Sequence, residues 1–292
     1  MMIYELDPSV LTPEALRSDA LLAAAADEQY ATSKTGPRTA VGYCAAYLPF
    51  SHFTSSERLK DLVSRLPDTN TSSNRLRDKI LSDRFSSAEH TGQIEFLFDV
   101  SNYSLFFKSE PGKRYGTMMQ MLQYPFSVGS IHIPPAKSDS QPTTSDDKPV
   151  IDPQYYSGPG GEVDFQVMAA AQRFGHKICS TSPLSNIVRS RVFPAPSKDT
   201  TSDDEDFSTW VRDSTTTDWH PVGTCAMGGH QRIRGGVVND RLRVYGVKGL
   251  RVCDASIMPL QIGGHLQATV YAIGEKGAAM MLEDWEAAGS NL

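Results

Sequence analysis

Two histidines sit where the sequence is otherwise apolar and rich in small residues. His220 lies in the stretch 219–227, and His265 follows Gly263-Gly264 at the head of an apolar run that ends near Trp285. Imidazole changes charge near neutral pH, so it can take a proton from a substrate hydroxyl or return one. The pair is a candidate for general acid–base chemistry, although a lone histidine in an apolar stretch is more often a core or surface residue with a satisfied hydrogen bond. His52, His90, His132, His176 and His230 stand outside any comparable pattern and read as structural or exposed.

A second feature is the segment 249–256. A short apolar strand ends at Asp254, and the small residues Ala255 and Ser256 after it let backbone come close to a ligand. The plain alternative is a strand-to-helix connection that binds nothing. Cys44, Cys179, Cys225 and Cys253 are far apart and form no C-x-x-C pair, so they read as buried thiols and no metal site is expected.

The elements that must position these groups are only partly marked. Residues 13–30 predict one helix, with Thr12 as cap, Pro13 in its first position, and Leu16, Ala20, Ala23 and Ala24 on one face. Gly36-Pro37 ends it. Residues 45–50 read as a loop entry or an edge strand, and 55–66 as an amphipathic helix through Leu59, Leu62, Val63 and Leu66, broken by the polar stretch 67–74. Aromatic and β-branched residues at 94–100, 103–107 and 115–124 predict strands of one sheet, although Met118, Met119 and Met121 would suit a helix as well.

Further on, 129–133 reads as another strand, followed by a polar loop to Lys148 and the turn Gly158-Pro159-Gly160-Gly161. Residues 162–177 predict a helix burying Val163, Val167, Ala170, Ala171 and Phe174. Residues 197–206 read as an acidic loop, 228–236 as a glycine-bounded loop, and 266–285 as a long, mostly apolar helix.

The 292 residues are 39% hydrophobic and 21% charged, an ordinary globular composition that allows one large domain or two. A net charge of -6, with basic residues scattered apart from 232–234 and 241–243, argues against nucleic acid as a partner. No apolar run is long enough for a membrane helix. Residues 1–10 lack the basic and apolar regions of a secretory leader, so an intracellular protein, or a chain whose true beginning lies elsewhere, is expected. The triplets Asn70-Thr71-Ser72 and Asn102-Tyr103-Ser104 match the glycosylation pattern but carry little weight without a secretory context.

Five linked blocks give the histidines their context. They are Asp218-Trp219-His220-Pro221-Val222-Gly223-Thr224-Cys225-Ala226-Met227-Gly228, then Gly236-Val237-Val238-Asn239, then Leu242-Arg243-Val244-Tyr245-Gly246-Val247, then Gly249-Leu250-Arg251-Val252-Cys253-Asp254-Ala255-Ser256, then His265. In order and spacing they resemble the carboxyl-terminal signature of the glucose–methanol–choline (GMC) oxidoreductases. Gly129-Ser130-Ile131-His132-Ile133 with Pro149-Val150-Ile151-Asp152-Pro153 is similar to a strand pair of that family, and 17–37 to one of its helices.

The resemblance implies an α+β fold: an antiparallel sheet with flanking helices, joined to the last strand and helix of an FAD-binding α/β domain. It implies a substrate-binding portion at 1–215 and a flavin-facing portion at 216–292, with 125–285 together matching the family's carboxyl-terminal domain. It makes His220 the base that takes the hydroxyl proton of an alcohol and His265 its hydrogen-bonding partner. Asp254, Ala255, Gly264, His265 and Leu266 would lie against FAD, the hydride acceptor.

One part of the family pattern is missing from this sequence. A flavin dinucleotide is held by G-x-G-x-x-G between a strand and a helix, and Gly158-Pro159-Gly160-Gly161 has neither the spacing nor a preceding strand. Alone, the chain is expected to bind flavin weakly or not at all; it reads as a truncated gene product or as one piece of a split enzyme, whose partner would then be a separate amino-terminal flavin-binding chain. Leu266-Gln267-Ala268-Thr269-Val270-Tyr271-Ala272-Ile273 is most like fungal aryl-alcohol oxidase relatives, which points to an aromatic or polyketide-derived alcohol as the small-molecule substrate. The alternatives are a flavin-independent cyclase or dehydratase of a fungal polyketide-type pathway using the same histidines, and an inactive remnant.

Overall fold

A computed structural model describes residues 1–39, 43–68, 75–87, 89–136, 143–196, 205–228 and 235–289. Within them the chain divides into two compact units: residues 1–66, 82–122 and 162–216, and residues 67–81, 123–161 and 217–292. His230, the 232–234 basic run and the Asn70 triplet fall outside the described residues.

The first unit is built on five antiparallel strands. They are β1 (Met2–Leu6), β2 (Tyr43–Pro49), β3 (Gly92–Asp99), β4 (Tyr115–Leu122) and β7 (Val188–Phe193), in the order β2-β3-β4-β1-β7. The methionines of β4 are therefore in a strand, with Met118 opposite Met2 on one side and Phe98 on the other. β1, buried along its length, and β7 add two strands that the sequence did not announce.

The segment 103–107, expected as a strand, is irregular. Asn102 accepts from the Ser104 N–H and donates to the Phe107 carbonyl, and such side-chain bonds compete with a strand ladder. Cys44 is exposed because β2 is an edge strand with solvent on most of its length, so of the four cysteines only Cys179 is fully buried. Burial pushes its thiol up to about 12.

This unit also carries helices. The expected helix over 13–30 is two, α1 (Pro13–Ser18) and α2 (Ala20–Ser33), because the Asp19 carboxylate accepts from the Leu21 and Leu22 N–H groups and starts a new helix. Thr12 caps α1 as the sequence predicts. α3 (Ser56–Ser64) is capped by Ser55 and buries Leu62. α5 (Gly161–Cys179), of which residues 162–179 belong to this unit, comes close to the sheet at Gly175, where a Cβ would strike the Gln120 amide. His176 stacks on Tyr4 and its Nδ1 shares a 2.9 Å hydrogen bond with the Tyr4 hydroxyl. Phe50, Phe53, Phe85, Phe96 and Phe174 form a continuous aromatic cluster in the core. α6 (Glu205–Asp213) starts at the end of the stretch read as an acidic loop and buries Phe207, Trp210 and Val211.

The second unit has little regular sheet. β5 (Ser130–His132) and β6 (Val150–Asp152) pair antiparallel with Ile131 opposite Ile151. The start of α4 (Arg75–Ser86), up to residue 81, lies in this unit, and Arg77 there donates to the Pro125 and Phe126 carbonyls. Its core is Val238, Leu242 and Ile257, with Met227, Val244, Val252, Cys253, Ile273 and Met280 packed around them. Residues 249–253, expected as a buried strand, make one bridge, Arg243 to Arg251, and bond back to Leu242 and Val244 across a turn with Gly246 and Gly249 at positive φ.

The unit ends in α7 (Gln267–Gly289). Asp284 on this helix gathers the guanidinium groups of Arg241, Arg243 and Arg251, which pull its carboxyl below the usual range and fix the helix to the 241–251 turn.

Candidate active site

His220 and His265 meet in the second unit. Their ring centroids are 5.6 Å apart and the rings stand at 90°, edge to face. Two separate stretches of backbone produce this encounter.

The His220 side begins with a turn. Trp219 has a positive φ of 56°, unusual for a bulky L-residue, and its N–H donates to Thr217 Oγ1 at 3.0 Å. This places the Asp218 carboxylate 2.9 Å from His220 Nδ1. Downstream, the Cys225 N–H donates to the Ser256 carbonyl at 3.0 Å, and the Met227 N–H to the Ile257 carbonyl at 2.7 Å. The histidine therefore stands on a segment laced to the small-residue turn at 254–257. Gly223, at a φ of 88°, supplies the left-handed step between them.

The His265 side depends on two glycines. A Cβ at Gly263 would run into the Tyr124 hydroxyl, and Gly264 has a φ of 94° while its N–H donates to Gln123 Oε1 at 2.6 Å. Tyr124 and Gln123 thus hold the approach to α7 against the 123–161 segment. His265 is exposed beside the helix start, whereas Leu266 is buried and accepts the Val270 N–H through its carbonyl.

The structure brings His220 and His265 together, the first on a segment bonded to the 254–257 turn and the second on the glycine approach held by Tyr124 and Gln123. Asp254 caps the short helix Ala255–Ile257 through its bond to the Ser256 N–H at 2.8 Å, so part of its carboxylate is committed locally. Ala255 is half-buried in that helix, which packs against α7. Leu266 can offer a ligand only backbone, since its side chain is 5% exposed.

These residues suit a flavin as one wall of its site. The first turn of α7 carries no acidic side chain, and a helix start of that kind favours a negatively charged group nearby. Among the described residues no three His, Cys, Asp or Glu side chains gather as a metal site would require. The residue that sequence reasoning passed over is Asp218. Its spacing of two from His220 was the available signal, but only the turn at Trp219 shows that the two side chains meet.

Comparison with known proteins follows this geometry. The chain is 29% identical over 301 residues to the dehydrogenase citC of Monascus ruber, covering 96% of this chain and 46% of that protein. It is 36% identical over 172 residues to versicolorin B synthase of Aspergillus parasiticus, covering 59% of this chain and 25% of that one. Among solved structures, a formate oxidase of Aspergillus oryzae superposes with a TM-score of 0.73 at 20% identity, over 98% of this chain and 46% of the other. A fungal aryl-alcohol oxidase gives 0.66 at 25% identity, over 98% and 47%. The chain spans about half the length of the relatives that it matches end to end. The sequence profile described as GMC oxidoreductase matches residues 125–274, which take in both histidines and the turn between them, and the chain belongs to that family.

Proposed function

We propose that this chain is the active-site half of an oxidoreductase acting on the CH–OH group of an alcohol, and that it works with a flavin-binding half supplied by a separate amino-terminal chain or segment. The observation that carries this reading is the edge-to-face pair His220 and His265. His220 takes the hydroxyl proton, and His265 holds the same oxygen by a hydrogen bond as negative charge develops on it. FAD, when bound, supplies the acceptor for the carbon-bound hydride, so that alcohol becomes carbonyl. The α7 start and the 254–256 turn form this chain's share of the flavin wall, with the 216–292 portion facing the flavin and the 1–215 portion serving the substrate. Likeness to a fungal aryl-alcohol oxidase supports an aromatic or polyketide-derived alcohol as substrate.

A second reading is favoured by one relative, versicolorin B synthase, whose name is that of a synthase. There the same pair would act as acid and base in a cyclisation or dehydration without hydride transfer.

The test is turnover of aromatic primary alcohols by the assembled protein with FAD, beside flavin absorbance carried through gel filtration. His220→Ala should lower turnover roughly 10²- to 10⁴-fold with circular dichroism unchanged. A colourless but active protein would favour the second reading, and unchanged turnover in the variant would sink both.

A further inference from the structure

We propose that Asp218 is a positioning residue for His220: its carboxylate holds the proton of the ring on Nδ1 and leaves Nε2 as the nitrogen that meets the substrate. The proposal rests on the reading of His220 as the proton acceptor. Oδ2 of Asp218 lies 2.9 Å from Nδ1. An ionised carboxylate can only accept hydrogen bonds, so the nitrogen that faces it carries the hydrogen. A neutral imidazole has one such hydrogen, and Nε2 therefore presents its lone pair.

The local backbone is arranged for this contact at some cost. A left-handed backbone is disfavoured for an L-residue, yet Trp219 adopts it while 69% exposed, so burial of the ring does not account for it. The turn is held by Thr217 Oγ1 and sets the side chains of residues 218 and 220 together. Asp7, Asp19 and Asp254 use their carboxylates to bond backbone N–H groups nearby. Among the described residues the Asp218 carboxylate makes its hydrogen bond to His220 alone.

The consequence for proton transfer is direct. When Nε2 takes the hydroxyl proton of the substrate the ring becomes imidazolium, both nitrogens carry hydrogen, and the Nδ1–H bond to Asp218 becomes charge-assisted. Without Asp218 the ring proton distributes over both nitrogens and the ring is free to turn. With the Asp218 side chain 43% exposed and that of His220 32% exposed, the geometric effect on tautomer and orientation outweighs any Coulombic one.

The tautomer is read from the His220 ring nitrogens by NMR on the ¹⁵N-labelled chain at about pH 8, above the ordinary imidazole range. The unmodified chain should show the Nδ1–H form. Asp218→Ala should lose that preference, and Asp218→Asn, whose amide oxygen still accepts, should restore much of it. In the assembled enzyme Asp218→Ala should lower kcat roughly tenfold with KM little changed. An Nε2–H ring in the unmodified chain, or a tautomer and kcat unmoved in Asp218→Ala, overturns the proposal. If those results come with an inactive His220→Ala, only the positioning role fails; an active His220→Ala removes the underlying reading.

Discussion

The two units of this chain solve the problem of burial differently. In the unit of residues 1–66, 82–122 and 162–216, β3 is buried from Gln93 to Asp99 and the aromatic cluster around Phe50 fills the core. In the unit of residues 67–81, 123–161 and 217–292, the core centres on Val238, Leu242 and Ile257, and α7 leaves Tyr271 69%, Leu282 56% and Trp285 74% exposed. The histidine pair stands in the second. The first unit puts its burial into an open sheet and an aromatic cluster, whereas the second has a small core crossed by loops whose turns depend on glycines such as Gly223 and Gly264, and leaves apolar residues of α7 exposed. Apolar surface of that kind is typical of faces that meet another protein surface.

The contrast can be broken or sharpened by substitution. Phe50→Ala should cost about 3–5 kcal/mol in urea denaturation, since the ring is fully buried and packs on Phe53 and Phe85. A loss under about 1 kcal/mol would mean that the sheet unit is no better packed than its neighbour. Val238→Ala removes less volume, and about 2 kcal/mol is expected. Because Val238 bridges to Met227 and Val244, the same variant should also broaden the NMR signals of the 225–227 segment; sharp, unshifted signals there would show that the small core does not support the site.

His265→Asn tests the chemical side. The amide can replace one hydrogen bond but cannot transfer a proton, so turnover should fall roughly tenfold, less than for His220→Ala, with the urea midpoint unchanged. Equal losses in the two variants would make the pair act as one unit.

The smallest effect expected is a pH dependence in the sheet unit. Burial, with a lesser contribution from the Arg191 cation, holds His176 below the ordinary imidazole value. The unfolded chain then binds the proton more readily than the folded one. This contribution to stability is complete above about pH 6.5 and declines as pH falls from there towards the lowered folded value. His176→Gln should flatten the urea midpoint across that window, and an unchanged slope would assign the dependence to other groups.

The sequence carried the site further than the fold. Five motif blocks mark His220 and His265, and the glycines before His265 carry a local constraint: Gly264 has a left-handed φ of 94° and a Cβ at Gly263 would meet the Tyr124 hydroxyl. Thr12 was readable as a cap for the same local reason, whereas Ser55, read as the first residue of its helix, caps it instead. β1 was hidden because five residues at the chain start say little about which strands they will pair with, even with the Asp7-Pro8-Ser9 turn after them, and the split at Asp19 was hidden because a carboxylate cap competes with helix continuation by a narrow margin.

What the sequence determined by itself is therefore local: helix starts, the glycines of the turns, and the identity of the two histidines. Tertiary structure alone decided the sheet order and the 90° meeting of the two rings, whereas the contact of Asp218 with His220 is local but depends on a left-handed Trp219 that its residue type does not announce. The physical reason is range. Caps and turns are settled by neighbours within a few residues, whereas strand pairing and ring contact depend on segments far apart in the chain, whose meeting is selected by the packing of the whole unit.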